Sequence, residues 1–220
     1  MRDWLGAVWG LPPETLALHR DAYGRPHLGG GTHHVDVNWS HSGDWLIAAC
    51  IEGMAIEGMA IEDMPGKDPQ AGGVRVGIDI ERLRPRPKAL ALARRFFAPE
   101  EIAWLNAIAD DIADDPAALD RAFTRLWCAK EAVLKAHGRG LSFGLHRLRF
   151  APGDDAAAPQ LVACDPALGA AAEWRLEAWS PAPGYLATLA WRAASGEVPA
   201  ADGIGAEAPP TTPSAKPPAA

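Results

Sequence analysis

The segment Val74–Glu81, Val-Arg-Val-Gly-Ile-Asp-Ile-Glu, constrains the fold more than any other stretch. Val74, Val76, Ile78 and Ile80 fall on one side of an extended chain. Arg75, Gly77, Asp79 and Glu81 fall on the other. This two-residue period marks a strand with one apolar and one polar face. Residues i and i+2 of a strand point the same way, about 6–7 Å apart. Asp79 and Glu81 therefore set two carboxylates side by side. Like charges that close are costly unless something positive stands between them. A hard divalent cation suits such a pair, with oxygen ligands completed by substrate phosphates. Gly77 is expected to leave room beside Asp79 for a ligand to approach the backbone. On spacing alone, a solvated polar face partnered by Arg75 stays open.

Other strand and helix signals surround this one. Val35, Val37 and Trp39 alternate with Asp36, Asn38 and Ser40, again a strand with one polar face. Ser42-Gly43-Asp44 turns the chain into a second strand, Trp45–Ile51. Trp4–Trp9 is a helix candidate, and Pro12-Pro13-Glu14 a fresh helix start. Gly24-Arg25-Pro26 is turn chemistry ahead of an extended segment. Pro99-Glu100-Glu101 opens a helix with Ile102, Leu105 and Ile108 as its apolar stripe. Asp115-Pro116 opens a longer one through Phe123, Leu126, Trp127 and Leu134, which Gly138 is placed to end. Strands are expected at Leu145–Phe150, Leu161–Cys164, Trp174–Trp179 and Tyr185–Trp191, the last two joined by a hairpin over Pro181–Gly184. Runs of strands flanking helices predict an α+β fold.

Three units are expected. Residues 1–73 form an N-terminal subdomain ending in a loop at 51–73. That loop carries Ile51-Glu52-Gly53-Met54-Ala55 twice, then Ile61-Glu62-Asp63-Met64-Pro65. A period of five fits neither helix nor strand, so it reads as a local duplication lengthening the loop. Residues 74–194 form a C-terminal subdomain. Residues 195–220 hold seven Ala, six Pro and no aromatic residue, and are expected to be a disordered tail.

Composition narrows the function classes. The chain has 220 residues, 48% of them hydrophobic, and a net charge of −7. It is long enough to bury a core without staples. A global basic footprint is missing, so nucleic-acid binding is not expected. No apolar run reaches membrane-spanning length, and no signal-peptide core stands at the N-terminus. Cys50, Cys128 and Cys164 lie far apart, which argues against a disulfide framework or a zinc site. A cytoplasmic protein is expected. Against the acidic total, Arg82, Arg84, Arg86, Lys88, Arg94 and Arg95 form a run without an acid among them. It is either a solvated face or a dock for an acidic partner.

Two further constellations carry chemistry. In Trp127-Cys128-Ala129-Lys130-Glu131-Ala132-Val133-Leu134-Lys135, Glu131 and Lys135 share a helix face at i, i+4. That is either an ordinary helix salt bridge or a third carboxylate with a phosphate-reaching lysine. In Asn38-Trp39-Ser40-His41-Ser42-Gly43, Ser40 and His41 point to opposite faces of an extended chain, and no Gly-x-Ser-x-Gly elbow is present. Phosphate binding is the better functional reading there, and turn capping the plainer one.

Taken in order, Gly24-Arg25-Pro26-His27-Leu28, Asn38-x-Ser40-His41-Ser42, Gly77-Ile78-Asp79-Ile80-Glu81, Trp127–Lys135 and Gly138-Arg139-Gly140-Leu141 resemble the Sfp-type 4′-phosphopantetheinyl transferases. The match runs from about residue 2 to residue 191. The resemblance implies an α+β fold of two similar subdomains related by a pseudo-twofold, with coenzyme A in the cleft between them. It implies transfer of the phosphopantetheine arm of coenzyme A to a serine of an apo acyl or peptidyl carrier protein. It implies Mg²⁺ held by Asp79, Glu81 and Glu131, Glu131 as general base, and Lys135 on the pyrophosphate. Arg25, Ser40 and His41 match positions that bind the nucleotide phosphates, and Asp79 and Lys135 belong to the same coenzyme A site. Only 23 residues precede Gly24, so a shortened N-terminal subdomain is expected. A two-subdomain chain favours a monomer. A carrier-binding remnant without catalysis and another Mg²⁺-dependent phosphoryl hydrolase are the competing readings.

Overall fold

The computed structural model describes residues 1–29, 34–53, 74–111, 115–151, 158–192 and 205–207. It is α+β, with helices packed on small antiparallel sheets. Helix α1 (Arg2–Trp9) leads to a hairpin of β1 (Ala17–Arg20) and β2 (Pro26–Gly29). Strands β3 (His34–Ser42) and β4 (Trp45–Gly53) pair along their full length, from His34 opposite Gly53 to Ser42 opposite Trp45. Strand β5 (Arg75–Arg82) follows, then α2 (Ala89–Phe96), α3 (Pro99–Asp110) and α4 (Ala118–His137). Strands β6 (Leu148–Ala151) and β7 (Gln160–Cys164) form a second hairpin. Strands β8 (Trp174–Trp179) and β9 (Tyr185–Arg192) complete a sheet in the order β5-β9-β8.

Strand β5 is the centre of the molecule. Its Val76, Ile78 and Ile80 are buried against Ile47, Ala49 and Ile51 of β4. Its other face meets α4. There Gly77 lies under the helix so closely that a Cβ would stand 2.0 Å from the Ala132 carbonyl oxygen and 2.4 Å from the Ala136 nitrogen. The room expected for a ligand at Gly77 is thus taken by the helix backbone. Small residues on α4, Ala129, Ala132 and Ala136, permit the same close approach. Helices α2 and α3 pack on the far side of α4, with Phe97, Phe123 and Leu105 in that core.

The alternating strand of residues 35–40 is β3, but its polar face is not solvated. Asp36, Asn38 and Ser40 are buried. Strand β9 pairs with one edge of β5, and β3 lays its side chains along the other. Asp36 accepts from the Val76 N–H at 2.7 Å, Asn38 from Ile78 at 3.1 Å, and Ser42 from Arg82 at 3.0 Å. Buried backbone donors must be matched, and here side chains do it in place of a strand.

Several local expectations shift. Pro13–Thr15 makes one 3₁₀ turn rather than a helix. The run expected as a strand from Leu145 begins with a 3₁₀ turn, Leu145–Arg147, because Lys130 ties its carbonyls to α4. Helix α2, which overlaps the basic run, was not expected; its signal was a stripe, with Ala89 and Ala93 buried and Arg94 and Arg95 exposed. Within the expected tail, Gly205–Glu207 forms a short strand, β10, antiparallel to β4. The second and third copies of the pentapeptide and the rest of the tail lie outside the described residues.

Candidate active site

The site is assembled from β3, β5 and α4. Strand alternation sends Asp79 toward the helix, since Ile78 and Ile80 are drawn to the apolar core behind. The i, i+4 spacing sends Glu131 and Lys135 back toward the strand, one turn apart. Ser40 arrives from β3 beside them. The Lys135 ammonium donates to Ser40 Oγ at 2.7 Å, to Asp79 Oδ1 at 2.7 Å and to the Ile78 carbonyl at 3.2 Å. Ser40 Oγ in turn donates to Asp79 Oδ1 at 2.8 Å. Three segments, 39 and 56 residues apart in chain distance, thus meet on one carboxylate oxygen.

The second oxygen, Asp79 Oδ2, is buried without a hydrogen-bond partner. Asp79 is only 4% exposed, and an ionised carboxylate so placed calls for further positive charge. Its neighbours register the imbalance. Glu131 is pushed up to about 7, by burial first and then by the charges of Asp79 and Glu81. Lys135 opposes that rise without bridging to Glu131, so the helix salt bridge read from spacing gives way to the cross-element pair with Asp79. Glu81 is also raised, by burial and then by Asp79, although Arg86 sits on its Oε2 at 3.0 Å. The Cys128 thiol beneath them is held well above its usual range by burial and by the same two carboxylates. It is a protonated donor to the Leu186 carbonyl at 3.7 Å, not a nucleophile.

Among the described residues, no three His, Cys, Asp or Glu side chains stand together as a ready cation cage. The Lys135 ammonium holds the Asp79 oxygen that faces it. The donor chemistry nevertheless fits a hard cation. One orphaned carboxylate oxygen and two carboxyls with raised pKa share one neighbourhood, and all three would be relieved by added positive charge.

Not every expected residue joins this cluster. His41 is exposed and leaves β3 on the face opposite Ser40, as strand alternation requires. Arg25 is 5% exposed, its guanidinium bound to Asp36 and to the backbone carbonyls of Lys135 and Val76. It supports the site from below and offers no open face to a phosphate.

Lys130 has a role that its place in the sequence motif did not disclose. It is fully buried, 2.8 Å from the equally buried Glu101, and donates to the Leu145 and Leu148 carbonyls. A signal existed. Lys130 follows Leu126 by four residues and precedes Leu134 by four, on the apolar stripe of its helix.

A family model described as the 4′-phosphopantetheinyl transferase superfamily matches residues 75–190, which hold β5 through most of β9. The chain is 37% identical to a putative 4′-phosphopantetheinyl transferase of Synechocystis, over 46% of this chain and 37% of that protein. It is 30% identical to the 4′-phosphopantetheinyl transferase psf-1 of Bacillus pumilus, over 66% and 49%. It is 29% identical to the 4′-phosphopantetheinyl transferase Sfp of Bacillus subtilis, over 66% and 51%. The matched region spans about half or less of the length of these relatives.

Proposed function

Because this chain belongs to the 4′-phosphopantetheinyl transferase superfamily, we propose that it transfers the phosphopantetheine arm of coenzyme A to a serine of an apo acyl or peptidyl carrier protein. Adenosine 3′,5′-bisphosphate is the other product. The observation that carries this reading is the meeting of Ser40, Asp79 and Lys135 around an unbalanced carboxylate, with Glu131 beside it.

The residues divide the work as follows. Asp79, Glu81 and Glu131 would hold Mg²⁺. When bound, the ion supplies charge neutralisation on the pyrophosphate and on the departing bisphosphate. Lys135 and Ser40 present an ammonium and a hydroxyl as donors to the phosphate oxygens. His41, at the exposed face of β3, is assigned to the nucleotide phosphates on the family resemblance. Glu131 Oε accepts the proton of the carrier serine as its oxygen attacks the pantetheine-side phosphorus. The bond from that phosphorus to the bridging oxygen breaks, and the bisphosphate leaves with the electron pair.

The partner reading extends this. Arg82, Arg84, Lys88, Arg94 and Arg95 are exposed just beyond Glu81, while Arg86 turns inward onto Glu81 and the Phe123 ring. The exposed cations form a surface for an acidic carrier beside the site. We read residues 1–73 and 74–194 as the two subdomains, related by a pseudo-twofold. The enzyme is proposed to act as a monomer in the cytoplasm. Among the described residues, no helix is long and apolar enough to cross a membrane.

Intact-mass spectrometry of an apo carrier, incubated with this protein, coenzyme A and Mg²⁺, tests the reading. A gain of one phosphopantetheine, abolished by EDTA, is expected. No gain across fatty-acid, polyketide and peptide carriers would overturn it.

A further inference from the structure

Arg25, matched by resemblance to a phosphate-binding position, has its side chain turned into the protein. Its Nη1 donates to the Lys135 carbonyl, and its Nη2 to Asp36 Oδ2 and, at 3.2 Å, to the Val76 carbonyl. Asp36 Oδ2 also accepts from the Val76 N–H at 2.7 Å. Only Arg25 Nε lacks a partner. The Asp21 carboxylate accepts the Arg25 N–H at 2.9 Å and fixes the turn that delivers the side chain.

The carbonyl that Arg25 takes is significant. Helix α4 ends at Gly138, whose φ of 92° turns the chain away and whose N–H returns to the Leu134 carbonyl at 2.9 Å. The Lys135 carbonyl is then one of the four that a helix end leaves without an intrahelical donor. Arg25, from 110 residues away, supplies that donor. The arginine stem passes Gly138 so closely that a Cβ there would stand 3.0 Å from Arg25 Cδ. Two features of the Gly138 position, its φ and its lack of a side chain, thus serve the same contact.

Building on the transferase reading, we propose that Arg25, neutralised by Asp36, is a positioning residue. It caps the carboxyl end of α4 from the N-terminal half and so sets Lys135 against Asp79 and Ser40, without contacting a nucleotide phosphate. The clamp makes the site depend on both halves of the chain. Its parts are a buried ion pair, a helix end and the edge of β5.

The full chain, coenzyme A, Mg²⁺ and an apo carrier provide one arm of the test. Amide hydrogen exchange at Gly138, without coenzyme A, provides the other. Arg25→Lys keeps the charge but loses the planar fork. Arg25→Met/Asp36→Asn removes both charges and leaves no buried unpaired ion, so it is expected to fold, which a denaturant melt checks. Both are expected to lower kcat about 10-fold or more, with KM for coenzyme A within about 2-fold. Gly138 exchange should quicken by about 10-fold or more as the last turn frays. A KM for coenzyme A raised about 10-fold at unchanged kcat, with Arg25→Lys behaving as wild type, would assign Arg25 to phosphate and overturn the proposal. Unchanged Gly138 exchange would overturn it too. If the wild-type chain transfers nothing, the transferase reading fails, and the exchange arm alone decides whether Arg25 caps α4.

Discussion

Lys130 and Lys135 stand on one helix, five residues apart, and each meets a carboxylate. Their surroundings differ in every other respect. Lys130 and Glu101 are sealed, both at 0% exposure. Glu101 Oε1 accepts from the Phe150 N–H and Oε2 from the Ala98 N–H, while Lys130 serves two carbonyls and lies over the Phe97 and Phe150 rings. Burial lowers the lysine's pKa and Glu101 resists the fall. Around Lys135 the side chain is 26% exposed, one Asp79 oxygen has no partner, and two more carboxyls are pushed up nearby. A sealed pair with matched hydrogen bonds holds α3, α4 and β6 together. An open pair with surplus negative charge is where a cation and an anionic substrate have something to gain.

The largest effect expected from breaking this contrast is on the sealed side. Lys130→Ala leaves Glu101 buried and unpaired and should cost about 3–5 kcal/mol of stability, read by denaturant unfolding. A loss below about 1 kcal/mol would show that the pair does not hold the fold together. Gly77→Ala comes next. It forces the helix off β5 against backbone atoms and should cost roughly 3 kcal/mol. A wild-type melting temperature would mean that the helix can shift without penalty.

Lys135→Ala sharpens the contrast from the open side. Stability should fall by about 1–3 kcal/mol, less than for Lys130→Ala because this lysine is partly solvated, although the buried Asp79 loses its cation. Transfer to a carrier should fall about 100-fold or more. The smallest effect is the dependence of stability on pH. The folded pKa of Glu131 lies at about 7, above its ordinary value of 4.5, so the metal-free folded state holds a proton that the unfolded chain releases earlier. That contribution is present in full below about 4.5 and is lost as pH rises through about 7. His137, lowered by burial, titrates with the opposite sign in a neighbouring range. The slope is therefore read as the difference between wild type and Glu131→Gln in unfolding midpoints. Saturating Mg²⁺ should flatten that difference, and a difference flat without Mg²⁺ would remove Glu131 from the charged cluster.

Much of this arrangement was legible in the sequence. The period-2 pattern of residues 74–81 placed Asp79 and Glu81 on the face that meets α4, and the i, i+4 spacing placed Glu131 and Lys135 on the helix face that answers it. Gly138 ends the helix where expected. What stayed hidden are contacts between a side chain and a distant backbone, which leave no period. The alternation of β3 showed a polar face, but nothing in its own residues reveals that this face serves the unpaired edge of β5, 40 residues on. Gly77 read as room for a ligand because a strand does not record which helix lies on it. The resemblance matched Arg25 to a phosphate-binding position, and its contacts with Asp36 and the end of α4 leave no trace in the residues around it.

Glu131→Gln tests the central claim most directly, since it is the change that should separate stability from chemistry. The variant removes a crowded charge, so the metal-free protein should unfold no more easily than wild type. Its rate of phosphopantetheine transfer to an apo carrier, measured by intact mass at equal folded protein, should fall about 100-fold or more. Transfer near the wild-type rate would show that the chemistry lies elsewhere than in the Asp79–Lys135 cluster.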